Sequence, residues 1–493
     1  MVNVGAGSLV ALMHPDGAIV RQTALGADAE SRIGLAPAHG GAVVNLGPVD
    51  LLWIVPSASE CGDGRWLEAT MESARTHLAP DGIVYLLAPR FWRERLVDAA
   101  RAAGYAVGGP MAHLPARGQE RLVFPLTPAG SRFALAAVLH ARPSIRRAAN
   151  GLTRVARWLG VGAEHWPTVG FVAHDRGGRL PWAWVERLSA DAIRPAAVVA
   201  ANGWRGPGDS TVLHLLDDQG AHAGVVKLAR TGAPSHEADR LAELGAAASE
   251  AGEHVPHVLG ADDIGGRAAL ALTVVPGRRA HEELTARSVT ASALIDLVDG
   301  WLERWNAATA CPAPLDAAAM EVTLFGPLAM LAPSLADADA YAARLRLLVA
   351  AVGAEPVPRV AAHGDLTSYN LLLDDAPAPR LGVIDWEGAR ADGWPMADLE
   401  YAAVDAVLAG GAHRDRVGAW RACFDPGGSM TAELAARRQR HIASLQLPAA
   451  FAELCHHACW LHHAANEHGK AEPGPHPFLD IVRALAAAEL SHD

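Results

Sequence analysis

Residues 363–387 read HGDLTSYNLLLDDAPAPRLGVIDWE. His363, Asp365, Asn370, Asp385 and Glu387 stand in this stretch with apolar runs between them. LLL (371–373) and LGVI (381–384) predict two short strands, and DDAPAP between them is made of turn formers. On such a hairpin Asp365 and Asn370 enter the first strand and Asp385 leaves the second, so three oxygen-bearing side chains converge at one end. Donors of that kind suit a hard cation such as Mg²⁺ and, with it, a polyphosphate.

Phosphoryl transfer of the protein-kinase type places an Asp against the attacking hydroxyl. An Asn five residues later and an Asp beyond the next strand hold metal. Here the step from Asp365 to Asn370 is five positions and that from Asn370 to Asp385 is fifteen. HGD stands where protein kinases carry HRD, and DWE where they carry DFG. In both departures residues 190–493 resemble the aminoglycoside phosphotransferase family, the small-molecule branch of the kinase-like fold. The resemblance implies Asp365 as the catalytic residue, His363 bracing its loop, and Asn370 and Asp385 on Mg²⁺. Glu387 reaches metal or substrate, or serves as a structural cap. It also implies that Asp398, in GWPMADLEYAAV (393–404), opens a helix and steadies the loop.

Upstream, AAVVAANGW (196–204), STVLHLLDD (210–218) and AGVVKLAR (223–230) predict three strands. The loop GWRGPGDS offers Gly203, Gly206 and Gly208 for close approach to phosphates, although Pro207 removes one donor. Lys227 sits inside the third strand and is one of only two lysines, against 40 arginines, so its survival there is informative. A kinase requires such a cation for the α- and β-phosphates, held by a carboxylate on the next helix. Glu237 fills that place ten residues on, with Glu243 as the alternative. The family resemblance further implies a hinge at Thr273–Val275 against the adenine edge, and acids of the C-terminal helices, Glu453 and Glu467, at the acceptor.

Residues 1–145 predict an α/β domain. SLVALM and AIVRQT flank HPDG as a hairpin, DLLWIV and IVYLLA are core strands, and RLVFPL (121–126) closes an antiparallel edge. Over residues 45–126 the order of strands and helices resembles a degenerate class I methyltransferase. Its best Gly-rich turn, VGAGS (4–8), is followed by a strand pattern instead of a helix, so a scaffold is expected more than an enzyme. The domains expected are therefore 1–145 (methyltransferase-like), 146–190 (linker helix and connector), 191–280 (nucleotide-binding N-lobe) and 281–493 (helical C-lobe). The fold class is α/β plus α+β, an α/β domain in front of a bilobal kinase-like one.

Residues 281–493 carry 28 acids against 15 bases, while the whole chain has a net charge of −12. An acidic half argues against a nucleic-acid partner and suits a cationic small acceptor. Mean hydropathy is +0.12 and no uninterrupted apolar run spans a bilayer, so no membrane partner is expected. The N-terminus lacks a basic segment before its apolar stretch, and five scattered cysteines form no disulfide framework, so a cytoplasmic protein is expected. Cys455, His456, His457, Cys459, His462 and His463 crowd one helix, where packing is expected over zinc. The reading as a whole is an ATP- and Mg²⁺-dependent phosphotransferase acting on a hydroxyl of a small molecule. Two others share its residues: a catalytically silent nucleotide-binding scaffold, and a bifunctional methyltransferase-kinase.

Overall fold

The structure, a computed structural model, describes residues 19–23, 49–55, 64–89, 92–114, 122–134, 168–174, 182–202, 210–229, 233–251, 254–264, 266–376, 379–411, 413–469 and 476–490. It divides into two compact units, 1–238 with 258–274, and 239–257 with 275–493.

The first unit is built on one twelve-stranded sheet among the described residues. Its strands are β1 (Ile19–Thr23), β2 (Val49–Val55), β3 (Leu78–Pro89), β4 (Ala106–Val107), β5 (Met111–Leu114), β6 (Leu122–Pro125) and β7 (Thr168–His174). They continue with β8 (Ala197–Asn202), β9 (Ser210–Leu216), β10 (His222–Ala229), β11 (Val258–Asp263) and β12 (Ala268–Leu272). The order is β1-β2-β3-β7-β5-β6-β8-β9-β10-β12-β11, with β4 beside β7. β1, β2 and β3 pair in parallel, and β7 joins β3 antiparallel.

DLLWIV and IVYLLA are continuously apolar because both of their faces are covered. Leu51, Ile83, Tyr85 and Leu87 enter one core, which continues through Val198, Leu213, Val226 and Ala271. Leu52, Ile54, Val84 and Leu86 enter another, beneath helices α1 (Gly64–His77) and α2 (Arg93–Ala102), with Met71, Ala74, Leu96 and Ala100.

Two local expectations change here. Ile19–Thr23 of AIVRQT do form β1, but its partner is β2 in parallel, with Ile19 opposite Leu51; SLVALM lies outside the described residues. RLVFPL supplies β6, which is not an edge, because β8 pairs along its free side through Leu122–Ala201 and Val123–Ala200. The sheet thus runs from the expected first domain into the expected nucleotide lobe, a junction made by long-range pairing that local patterns do not encode. The linker helix expected over 142–160 lies outside the described residues.

The second unit holds two small sheets and a set of helices. β13 (Arg278–Arg279), β16 (Leu371–Leu373) and β17 (Leu381–Val383) form one sheet, and β14 (Cys311–Ala313), β15 (Val357–Ala362) and β18 (Arg390–Gly393) the other. The hairpin read from residues 371–384 is present, with Leu371 opposite Val383 and Leu373 opposite Leu381. Asp374 closes its turn by accepting the Arg380 N–H at 2.9 Å and the Ala376 N–H at 3.3 Å.

Helix α3 (Ala233–Ala251) follows β10 and crosses the boundary between the units. The helices of the second unit include α4 (Ala280–Ala286), α5 (Ala291–Thr309), α6 (Ala338–Val352) and α7 (Ala397–Ala409). α8 (Arg416–Phe424), α9 (Thr431–Leu445), α10 (Ala449–His468) and α11 (Pro477–Leu490) complete the set. Thr290 caps α5 by accepting the Ala293 N–H. Between α5 and α6 the helical run Ala317–Ser334 is long and apolar enough, by length and composition alone, to meet the criterion for a membrane span. Glu321 interrupts its apolar run in the sequence, and Glu321–Phe325 form a π-helical turn. Trp301 and Trp305 of α5 stack at 5.3 Å, and Trp305 lies 5.3 Å from Trp386, so the DWE tryptophan anchors the exit of β17 in the core.

Candidate active site

In the second unit, residues 363–370 form a loop whose backbone and side chains are tied at almost every position. Helix α7 is buried along most of its length, and Asp398 in its first turn grips the start of the loop. One Asp398 oxygen accepts the His363 N–H at 2.6 Å and the other accepts the Gly364 N–H at 2.9 Å. Gly364 adopts φ +79°, and a Cβ there would sit 2.9 Å from the Gly388 carbonyl oxygen. The loop therefore admits HGD and excludes the HRD of protein kinases.

His363 is fully buried. Its Nε2 meets the Ile384 carbonyl at 3.0 Å, and its Nδ1 accepts the Asp365 N–H at 3.3 Å. Both ring nitrogens are thus spent on bracing the loop against the strand that leads to Asp385, and the ring packs edge-on to Trp386 at 4.9 Å.

Beyond Asp365 the chain turns, with the Thr367 N–H donating to the Asp365 carbonyl and the Asn370 N–H to that of Thr367. The Asn370 amide nitrogen donates to the Asp365 carbonyl at 2.9 Å and to its carboxylate at 3.1 Å. With the nitrogen so occupied, the side-chain oxygen of Asn370 is the atom left for a cation. The Ile384 N–H donates to the Asn370 carbonyl, bringing the two halves of the hairpin together beside Asp385.

Asp385 has φ +72°, a left-handed conformation uncommon for a residue with a Cβ and frequent at functional sites. It affects the Asp365 carboxyl electrostatically. Although residue Asp365 is exposed, partial burial of its carboxyl raises the pKa, and Asp385 and Asp405 add to the rise against His363 and the Asn370 hydrogen bond. One amide oxygen and one carboxylate form a donor set that fits a hard divalent ion whose remaining ligands are phosphate oxygens and water. Among the described residues no group of three or more His, Cys, Asp or Glu side chains is placed to hold a metal ion.

In the first unit, Lys227 lies on β10 opposite Val212 of β9 and Leu270 of β12. Its neighbours Val226 and Leu228 enter the core, so alternation turns Lys227 to the other face. There its ammonium donates to both carboxylate oxygens of Glu237, at 2.8 and 2.7 Å. The Glu237 side chain is 1% exposed and that of Lys227 is 21% exposed. Glu243 instead pairs with Arg240 at the surface, at 2.7 Å. Gly203, Gly206 and Gly208 lie outside the described residues. Thr273 and Val275 follow β12 in a segment without regular secondary structure, the first half-buried and the second buried.

The remaining candidates are placed as follows. Glu387 is exposed in the short turn Trp386–Gly388. Glu453 of α10 pairs with Arg344 of α6 at 3.3 Å, and Glu467 accepts the Phe478 N–H at the start of α11. The Cys/His cluster is packing and hydrogen bonding. His456 meets Glu400 at 2.6 Å, His457 meets the Tyr341 hydroxyl at 2.8 Å, and His463 stacks on Tyr401 at 3.6 Å. Burial pushes the Cys455 and Cys459 thiols well above their usual range.

Sequence reading missed Asp405. Its Oδ2 accepts both the N–H (2.8 Å) and the hydroxyl (2.6 Å) of Ser368, in the middle of the catalytic loop. The signal was there to find: Asp405 follows Asp398 by seven positions, two turns along one helix face.

The model of the phosphotransferase enzyme family matches residues 205–454. Among solved structures, the chain is similar to an aminoglycoside phosphotransferase from Streptomyces rimosus, determined with ADP and streptomycin. The identity is 18%, the match covers 56% of this chain and 98% of that one, and the TM-score is 0.35. An ethanolamine kinase of Plasmodium vivax matches at 10% identity over 57% of this chain and 78% of its own, TM-score 0.32. The protein WbdD matches at 10% identity over 91% of this chain and 74% of its own, TM-score 0.30. At such identities and scores the structural likenesses carry no argument of their own, and none of the comparisons supports the methyltransferase resemblance. No curated protein matches the chain.

Proposed function

Because the chain belongs to the phosphotransferase enzyme family, and is thereby a small-molecule kinase, we propose that it moves the γ-phosphoryl group of ATP, with Mg²⁺, to a hydroxyl of a small acceptor. The observation that carries this is the catalytic loop, in which the Asn370 amide locks onto Asp365 while its oxygen stays available beside Asp385.

Asp365 accepts the acceptor's hydroxyl proton and orients its oxygen for in-line attack. Asn370 and Asp385 hold Mg²⁺, which when bound neutralises charge on the donor's phosphates. Lys227, kept in one orientation by Glu237, binds the α- and β-phosphates. The protein supplies little covalent chemistry, so fixed positions and charge carry the acceleration. The excess of acid in residues 281–493 favours a cationic acceptor. A cytoplasmic setting, where ATP is available, agrees with four free cysteines among the described residues.

The test is ADP release by the full chain over a panel of hydroxylated amines, sugars and antibiotics, beside Asp365→Ala. The variant is expected to lose at least about a hundredfold in turnover, as when a catalytic base is removed. An equally fast variant takes Asp365 out of its role. Mg·ATP binding without ADP release on any acceptor favours the silent scaffold, and binding of S-adenosylmethionine by the full chain favours the bifunctional enzyme.

A further inference from the structure

Helix α7 reaches the catalytic loop with two carboxylates. Asp398 holds its entry. Asp405, two turns further on, holds its centre, is 5% exposed, and has Arg416 at 3.5 Å on its other oxygen. Ser368 is the residue between, and each of its polar groups is engaged. Its N–H and hydroxyl go to Asp405, and its carbonyl accepts the His281 N–H at 3.0 Å from the first turn of α4. Ser368 is also the second residue of the turn closed by Asn370 N–H on the Thr367 carbonyl at 2.9 Å. That turn sets where the Asn370 side chain begins, and so where its oxygen lies relative to Asp385.

We propose that Asp405 is a positioning residue for the metal-holding Asn370, acting through the backbone and hydroxyl of Ser368. Resting on the phosphotransferase reading above, the role needs no contact between Asp405 and nucleotide, metal or acceptor. Within residues 365–370 the hydrogen bonds from Thr367 and Asn370 back to Asp365 and Thr367 are internal to the loop, and the Asp405 carboxylate ties its centre to a separate element. An acceptor from a buried helix, itself held by Arg416, supplies a rigid reference point. Groups that orient metal-holding side chains are commonly worth 10–100-fold in metal affinity or activity.

The experiment measures ADP affinity by calorimetry on the full chain with and without Mg²⁺, together with kcat, KM and thermal stability, for Asp405→Ala, Asp405→Asn and Ser368→Ala. Asp405→Ala is expected to lose most of the Mg²⁺-dependent gain in ADP affinity and roughly tenfold to a hundredfold in kcat. Its metal-free ADP affinity and KM for acceptor should stay close to those of the parent. Asp405→Asn, which keeps an oxygen for Ser368, restores most of both losses, and Ser368→Ala gives a partial loss. An Asp405→Ala protein with the parent's Mg²⁺ gain and kcat overturns the proposal. So does a loss that Asn fails to restore and that follows thermal stability alone. Should Asp405→Ala not fold, Ser368→Ala decides: an unchanged Mg²⁺ gain there refutes the role. A parent with no Mg²⁺-dependent gain contradicts the phosphotransferase reading, and this one with it.

Discussion

Lys227 and Glu237 show how much a single residue can reveal when composition isolates it. In a chain with 40 arginines and two lysines, a lysine inside an apolar strand stood out, and ten residues downstream its carboxylate partner was legible too. What the letters did not give was burial. Glu237 is closed off from solvent, and both of its carboxylate oxygens accept from the Lys227 ammonium. Lys227→Met should therefore destabilise the protein by about 3–5 kcal/mol, as breaking a buried pair does, and weaken nucleotide binding. Adding Glu237→Gln should restore most of the melting temperature while nucleotide binding stays weak. Thermal melts and nucleotide titrations on both variants check this, and a single variant as stable as the parent contradicts it. Gly364 is the contrasting case. HGD was read as a family mark, whereas its physical cause, a left-handed backbone pressed against the Gly388 carbonyl, needed coordinates.

At the scale of elements, the β16–β17 hairpin was readable because apolar runs and turn formers alternate within a dozen residues. The hold of α7 on the catalytic loop was half readable. Asp398 belonged to a motif, whereas Asp405, though it shares that helix face, meets its partner Ser368 across 37 positions of sequence. The Cys/His helix α10 invited zinc by composition, and burial explains it better. His457 faces the Tyr341 hydroxyl of α6, and burial lowers its pKa from 6.5 to about 3. Between those values the unfolded chain binds a proton that the folded one refuses, so stability falls as pH drops below about 6.5. The slope for this group is about 1 kcal/mol per pH unit. Glu400 adds to the fall at lower pH, because His456 and Arg438 hold its pKa below 4.5 despite full burial, and protonation discards those interactions. Melting temperatures of the parent should decline from pH 7 to 5, and His457→Gln should make that decline shallower, with His222, its pKa lowered to about 4 by burial, still contributing. Parallel curves for the two proteins would refute the assignment.

Across the whole molecule, the sequence divided the first half into domains by composition and family likeness, and the structure joins those stretches in one sheet. Which strand lies beside β6 or β3 is set by pairings dozens of residues apart, and no periodicity records them. Burial across the molecule sorts the thiols as well. Of the four described cysteines only Cys311 is exposed, and burial raises Cys423 to about 12. A thiol reagent should label Cys311 quickly in the native protein and reach Cys423, Cys455 and Cys459 only on unfolding, as mass mapping of the labelled sites would show. Fast native labelling of Cys455 would contradict the packing described for α10. The central claim is that this chain transfers a phosphoryl group with Asp365 as the acceptor-facing carboxylate. Phosphorus NMR of the full chain with Mg·ATP and an acceptor that supports ADP release tests it most directly. The account predicts a phosphomonoester on the acceptor hydroxyl, formed by the parent and at least about a hundredfold more slowly by Asp365→Asn. Inorganic phosphate as the only product, or equal rates for the two proteins, would contradict it.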